Sequence, residues 1–481
     1  MNRLFSLHNV RHIPRLLGCV LLAAFTATAC SAGTGQTVVP GDTSPVNISI
    51  WTYYNGPQLS AFTGLVEEFN RTEGKTQGIV VESFNHGSVE ELQEKVTESI
   101  YGKVGADPVP NVFSAYADTA YNTDKMGMLA DISEYLDEAE QDRYIDIYLE
   151  EGRFDESSLK IFPIAKSTEV FLLNKTDWEP FAASCGKTFK DLETLERLVD
   201  TAAEYYEWSG GKALYGRDAM ANYMLIGAMQ LGTEIVSVRD SKAVLNFDRG
   251  TVRKLWDHYY VPFVRGHFAA SGRFRSDDVK TGNILGYVGS SSGATYFPEE
   301  VTLSDDDTHP IEMAVLPVPR FSNGKRYAVQ QGAGMVVVDT TPEEVAASVT
   351  FLKWFTDPAR NIPFSIGSCY MPVMKEANSI DVITSYNADL DDRTLSILTA
   401  AMETVNSNTL YTPKAFDSGT TARSILEYSM SDLAVADRQA VLERIENEGV
   451  TPEEAVAPYL TDEYFDAWYR QVNARLQMLV N

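Results

Sequence analysis

Ile48-Ser49-Ile50-Trp51-Thr52-Tyr53-Tyr54 is a short apolar and aromatic run, and Pro57 soon after it opens a stretch in which Leu59, Phe62, Leu65, Val66 and Phe69 recur at helical spacing. A β-branched and aromatic run predicts a strand, and proline at a helix start costs nothing because its missing N–H would be unpaired there anyway. The order is strand, turn, helix. Ile79 to Phe84 is a second β-branched run, and Ser88-Val89-Glu90-Glu91 after it has the form of a capping box leading into apolar positions Leu92 and Val96. Further short apolar runs stand at Val112–Ala115, Val170–Leu173, Ile284–Val288, Met313–Leu316 and Met335–Val338, with longer helical stretches between them. Such alternation predicts α/β lobes with largely parallel sheets, whose crevices lie at the carboxyl ends of strands. From about Asp381 the pattern is mostly helical.

The 481 residues, 44% hydrophobic and 22% charged, are enough for two cores and far from the composition of a disordered chain. A formal charge of -27 repels nucleic-acid backbones and anionic membranes over the surface as a whole, so no nucleic-acid partner is expected. It leaves the sign of charge inside a cleft open.

Arg3, Arg11 and Arg15 precede an apolar run from Leu16 to Phe25, and Ala27-Thr28-Ala29-Cys30 follows with no acid in between. This is the order of a secretory signal, too short in its apolar part for an ordinary membrane span. Residues 1–29 are expected to be removed, which takes the charge to -30, and 30–46, rich in Ser, Gly, Thr and Pro, read as a flexible tether. The cysteine after small residues resembles the lipobox of bacterial lipoproteins and makes Cys30 the expected lipidation site. Leu16-Leu17-Gly18-Cys19 also fits that spelling, but no apolar region precedes it. Cys185 and Cys369 are too few to form a disulfide framework or metal site, and one bridge between them is not implied.

The histidines of the mature chain, His86, His258, His267 and His309, show no ligand spacing, and there is no phosphate-loop or dinucleotide fingerprint, so no metal or cofactor is expected. Gly289-Ser290-Ser291-Ser292-Gly293 satisfies the nucleophile-elbow expression G-x-S-x-G after a strand-like run. A secreted serine hydrolase using Ser291 is therefore the alternative function. Its only downstream histidine is His309, preceded at once by Asp305, Asp306 and Asp307, too little chain to bring acid and base from separate strands. The same turn offers hydroxyls and backbone N–H groups suited to sugar hydroxyls or a phosphate.

Four stretches carry a family resemblance: Phe162-Pro163-Ile164-Ala165-Lys166-Ser167-Thr168-Glu169-Val170-Phe171-Leu172-Leu173-Asn174-Lys175; Ser291-Ser292-Gly293; Gln331-Gly332-Ala333-Gly334-Met335; and Ile366-Gly367-Ser368-Cys369-Tyr370-Met371-Pro372-Val373. In order and spacing they resemble the extracellular solute-binding proteins of carbohydrate ABC importers (family 1), most of all the glycerol-3-phosphate-binding branch. The resemblance implies a two-lobed periplasmic-binding-protein-like clamp of type II, with lobes joined by crossing hinge strands. Lobe 1 is expected over 47–168 with 333–378, and lobe 2 over 169–332 with 379–481. It also implies a non-enzymatic binding lipoprotein on the outer face of the cytoplasmic membrane, acting as a monomer. Such a protein closes on a carbohydrate, polyol or glycerol-3-phosphate-like solute and delivers it to ABC permease subunits. Carried over residue by residue, the implied ligand positions are Ser88, Tyr116, Ser167, Ser291 or Ser292, with Gly293, then Gly332 and Tyr370. Ser88 stands where that branch has an aromatic, and near Phe416 and Asp417 no clear counterpart of its phosphate-holding arginine is seen, Arg423 being nearby.

Aromatics are the other half of sugar recognition, and Trp51, Tyr53, Tyr54, Tyr116, Tyr296 and Tyr370 all fall at predicted strand ends or turns. Asp118 and Glu169 are candidate acceptors for sugar hydroxyls, with helix capping the competing role. Lys166, beside Ser167, is a candidate partner for an anionic group.

Overall fold

A computed structural model describes residues 44–155, 157–239, 242–304 and 306–480. The signal segment, Cys30, the tether up to residue 43 and Asp305 lie outside the described residues.

Strand β1 (Val46–Thr52) leads into helix α1 (Gly56–Arg71), which carries Pro57 in its first turn and buries Phe62, Leu65, Val66 and Phe69. These are the residues whose spacing predicted it. Strand β2 (Ile79–Asn85) follows, then α2 (Val89–Ile100), whose N-cap Ser88 accepts the Glu91 N–H at 3.1 Å, then β3 (Val112–Ala115) and α3 (Ala117–Lys125). Beyond them come β4 (Glu169–Asn174), β5 (Ala213–Arg217), α4 (Met220–Gln230), β6 (Ile284–Ser290), β7 (Met313–Leu316), β8 (Tyr327–Val329) and β9 (Gly334–Val337). The last elements needed here are α5 (Asp392–Ser407), β10 (Thr409–Tyr411) and the 30-residue α6 (Gly419–Glu448).

One sheet has the order β9-β3-β1-β2, with β1 parallel to both β2 and β3 and β9 antiparallel to β3. The other has the order β7-β4-β6-β5, and here only β5 and β6 are parallel. The expectation of largely parallel sheets therefore fails in the second lobe, because β4 enters from the hinge. A strand entering there runs away from the cleft, whereas β5 and β6 end at it with Arg217 and Ser290.

The entering segment and the returning one are bonded to each other. Ser167 and Gln331 exchange both main-chain hydrogen bonds at 2.9 Å, and Phe162 and Met335 pair likewise at 2.7 and 2.8 Å. A third passage brings β10 beside β8 in parallel. The missing side chain at Gly332 (φ +94°) is required here, since a Cβ would stand 2.9 Å from the Ala165 carbonyl oxygen.

Ile48, Phe62, Phe69, Phe351, Phe355 and Met371 belong to one core, and Phe171, Trp178, Tyr215, Trp256, Ile425 and Trp468 to another. Full burial of each such side chain contributes about 2–3 kcal/mol. Helix α5 serves the core of Ile48 through Leu398, Ala401 and Met402, while its Ile397 packs in a cluster with Val170, Tyr287 and Cys369. It thus links both sides of the molecule.

Candidate functional site

The ends of β1 and β3 and two turns deliver side chains to one place. The rings of Tyr53 and Tyr116 stack at 6.5 Å with 23° between planes, and the Tyr54 ring meets Tyr370 edge-on at 6.1 Å. The hydroxyls of Tyr53 and Tyr370 lie 3.4 Å apart, and Tyr53 accepts the Ala333 N–H at 3.4 Å. Tyr370 is held in place because the helix before it ends at Cys369 in the left-handed conformation (φ +54°). From the other lobe comes the serine turn: Ser290 Oγ is 2.9 Å from Ser292 Oγ and donates to Ser167 Oγ at 3.2 Å.

Burial, with help from the neighbouring phenols, pushes the pKa values of Tyr53 and Tyr54 well up and that of Tyr116 to about 12. Yet Tyr116 keeps 39% of its surface accessible. Tyr116 thus presents partly accessible ring surface, of the kind on which the apolar face of a ligand can stack.

Two polar relays flank the aromatics. Lys166, fully buried, is ion-paired with Glu151 and donates to the Gly332 carbonyl at 2.8 Å, while Gln330 donates to Glu151 at 2.7 Å. Its ammonium is thus spent inside the hinge, so Lys166 does not serve as the anion partner considered from sequence. In the second relay Arg217 donates to Glu169 Oε2 at 2.5 Å, Asn222 donates to Glu169 Oε1 at 2.9 Å, and Arg423 donates to Asn222 Oδ1 at 2.8 Å. Burial raises the pKa values of both Tyr116 and Asp118, and the nearby Arg423 charge offsets part of that rise. Desolvation nevertheless holds Asp118 up at about 6, opposed by Arg423 and by the Phe416 N–H.

The lobes also touch directly. Gln58 donates its side-chain amide to the Ser292 carbonyl at 3.1 Å, Lys125 meets Asp417 at 2.6 Å, and a Cβ on Gly56 would stand 3.2 Å from the Tyr296 hydroxyl.

Of the positions expected from sequence, Tyr116, Ser167, Ser292 and Tyr370 come together with Tyr53 and Ser290, and Asp118 lies beside them facing Arg423. Gly293 is open, with no atom nearer than 3.9 Å to an added Cβ. Gly332 shapes the hinge. Ser88 spends its hydroxyl on the helix cap, and both carboxylate oxygens of Glu169 are taken within the protein. Gln58, Glu151, Asn222 and Arg217 were not singled out from sequence, since each acquires its role from a partner far along the chain.

A cavity of about 270 Å³ lies at the hinge itself, lined among others by Thr168, Glu169, Gln230, Arg320, Val329 and Asn408. It contains one ring, Tyr327, and no residue of the serine turn. The stacked platform is at the cleft.

The nucleophile-elbow alternative is not supported by the geometry. Ser291 Oγ is fully buried at 3.5 Å from both the Thr168 N–H and the Cys369 carbonyl, while His309 is bonded to Asp177 at 2.8 Å. Ser290 pairs with Glu169 at one end of β4, and Asp177 lies beyond its other end. That strand separates acid and base from the serine by about 17 Å at ~3.3 Å per residue. Among the described residues no group of three or more His, Cys, Asp or Glu is placed to hold a metal ion, and no helix is long and apolar enough to cross a membrane.

The family model of the bacterial extracellular solute-binding proteins matches residues 64–391. The chain belongs to that family. Solved structures with the same fold include the GacH receptor of Streptomyces glaucescens, determined unliganded and with acarbose: 16% identity, 89% of this chain and 98% of that one, TM-score 0.65. UgpB from Mycobacterium tuberculosis in complex with glycerophosphocholine is similar at 17% identity, over 90% and 99% of the chains, TM-score 0.64. The cyclic alpha-maltosyl-1,6-maltose binding protein of Arthrobacter globiformis is similar at 16% identity, over 90% and 99%, TM-score 0.64. No curated protein matches the sequence. The likeness gives this solute-binding protein a two-lobed fold.

Proposed function

We propose that this solute-binding protein serves an ABC importer, capturing a carbohydrate, polyol or glycerol-3-phosphate-like solute between its lobes and handing it to permease subunits. The observation that carries the proposal is the Tyr53–Tyr116 stack, with Tyr116 accessible, facing hydroxyls from the Ser290–Ser292 turn. Rings take the apolar face of a sugar while hydroxyls and amides take its directional hydrogen bonds. The solutes named for the similar structures, acarbose and glycerophosphocholine, support the same class. Lobe limits of 47–168 with 333–378, and 169–332 with 379–481, belong to this proposal, with helix α5 bridging the two. The expected ligand contacts are Tyr53, Tyr116, Asp118, Ser290, Ser292, Gly293 and Tyr370.

In the proposed mechanism, the open clamp samples closure and solute contacts from both lobes shift the population to the closed form. No chemical step is needed. Lipid attachment at Cys30, after removal of residues 1–29, would hold a monomer at the outer face of the membrane. A thermal-shift screen of the mature chain against maltotriose, sugar alcohols, glycerol 3-phosphate and glycerophosphocholine tests the solute class, because a ligand bound only by the folded state raises Tm. No rise with any of them removes that class.

A further inference from the structure

Three hydrogen bonds link Arg217, Glu169, Asn222 and Arg423 in that order, and two of them lead from Glu169 to the cleft. Its carboxylate is only 3% exposed and accepts from Arg217 on one oxygen and from Asn222 on the other. A carboxylate has no proton to offer, so it obliges Asn222 to turn its NH2 group inward. The amide oxygen of Asn222 then points outward, where it receives Nη2 of Arg423 at 2.8 Å. Asn222 itself cannot drift: it lies in the first turn of α4, whose Met220 and Ala221 N–H groups are held by the two oxygens of Glu427 at 2.9 and 2.8 Å. Glu427 and Arg423 are one turn apart on the same helix α6, so both anchor points of α4 are tied to one element. Arg423 remains exposed beyond that single bond, with the rest of its fork free to donate, and it lies one turn after Gly419 of α6, where an added Cβ would run into the Asp118 carboxylate.

We infer that Glu169 is a positioning residue: through Asn222 it sets the orientation of the Arg423 guanidinium, which acts as the specificity-determining donor of the cleft toward paired acceptor oxygens on the solute. The inference rests on the cleft being the solute site. A guanidinium tethered through one nitrogen keeps its remaining donors coplanar and limits where they can reach, and paired oxygens match that coplanar fork better than isolated ones. Replacing Glu169 by Gln breaks the logic without changing its shape. A Gln amide cannot accept on both sides, so either Arg217 faces an NH2 group or Asn222 inverts and turns its own NH2 toward Arg423.

The test uses the full mature chain with E169Q, N222A, R423M and the E169Q/R423M and N222A/R423M pairs. N222A leaves the buried Glu169–Arg217 pair whole and so stands in where E169Q does not fold. In the absence of solute, the Arg423 Nε–H signal, assigned with R423K, reports ordering. The expected result is a dispersed signal in the wild type that collapses to the free-arginine position in N222A and E169Q. An unchanged signal in N222A overturns the inference whether or not any solute binds. Calorimetric titration with maltotriose, glycerophosphocholine and glycerol 3-phosphate then follows affinity. Each single variant is expected to lose about tenfold or more for whichever probe binds, and each pair to lose no more than R423M alone. Losses that multiply in the pairs refute positioning. Binding by none of the probes counts against the proposed solute class and leaves the positioning question to the solute-free signal.

Discussion

Gln58, in the first turn of α1, reaches across the cleft and donates to the main-chain carbonyl of Ser292, 3.1 Å away, in a buried hydrogen bond. The bond exists only when the lobes are together, so it is an element of closure that owes nothing to solute. Both partners sit at positions the sequence makes rigid, a proline-started helix and a serine turn at the end of β6.

Gln58→Ala is therefore expected to shift the clamp toward its open form while leaving each lobe intact. A buried amide–carbonyl bond is worth about 1 kcal/mol net, which corresponds to about fivefold in solute affinity. Calorimetry against a bound solute checks this, with an unchanged melting curve in its absence as the control.

Tyr116→Ala separates recognition from folding. The ring is partly accessible and stacks on one neighbour, so its removal should cost little stability but at least about tenfold in affinity, the scale of one lost stacking contact. Fluorescence titration with unfolding midpoints as control is the measurement. Equal loss of stability and affinity would assign the ring to packing.

Asp118 gives the protein a pH dependence of known sign. Desolvation raises its pKa to about 6, above the unfolded value near 3.9, so the folded state holds a proton that the unfolded chain has already lost. Its contribution is fully present below about pH 4 and is lost as pH rises through about 6. The partly accessible position limits this to about 1–2 kcal/mol. Asp218, also raised to about 6 by burial, titrates in the same window, so the comparison must be between wild type and Asp118→Asn. Melting temperatures measured from pH 4 to 7.5 should show the wild type falling relative to the variant; a constant difference would mean that Asp118 does not titrate there.

Phe62 tests the core. It is fully buried against Tyr54, Phe351 and Phe355, with ring centroids 5.4, 6.3 and 5.6 Å away. Phe62→Ala should destabilise by about 3–5 kcal/mol through lost burial and a cavity, read from urea unfolding.

Much of this was legible in the sequence. Periodicity located α1 and its buried face, short apolar runs located β1 to β4, β6, β7 and β9, and the Gly-Ser-Ser-Ser-Gly pattern marked the turn that brings Ser290 to Ser167. These are local signals, carried by residues close in the chain. Strand direction in the second sheet was not legible, because a strand running away from a hinge has the same composition as one running toward it. Nor was the fate of Glu169 or Lys166: each looked available until Arg217, Asn222 and Glu151 were seen beside it, and the Asn222–Arg423 bond joins residues 201 positions apart. No spacing rule reaches that far.

Small-angle X-ray scattering on the mature chain, with and without a solute shown by calorimetry to bind, tests the hinged clamp most directly. The radius of gyration is expected to be smaller with solute, matching the closed arrangement in which Gln58 meets Ser292. A bound solute that leaves the scattering curve unchanged, in both wild type and Gln58→Ala, would contradict closure as the means of capture.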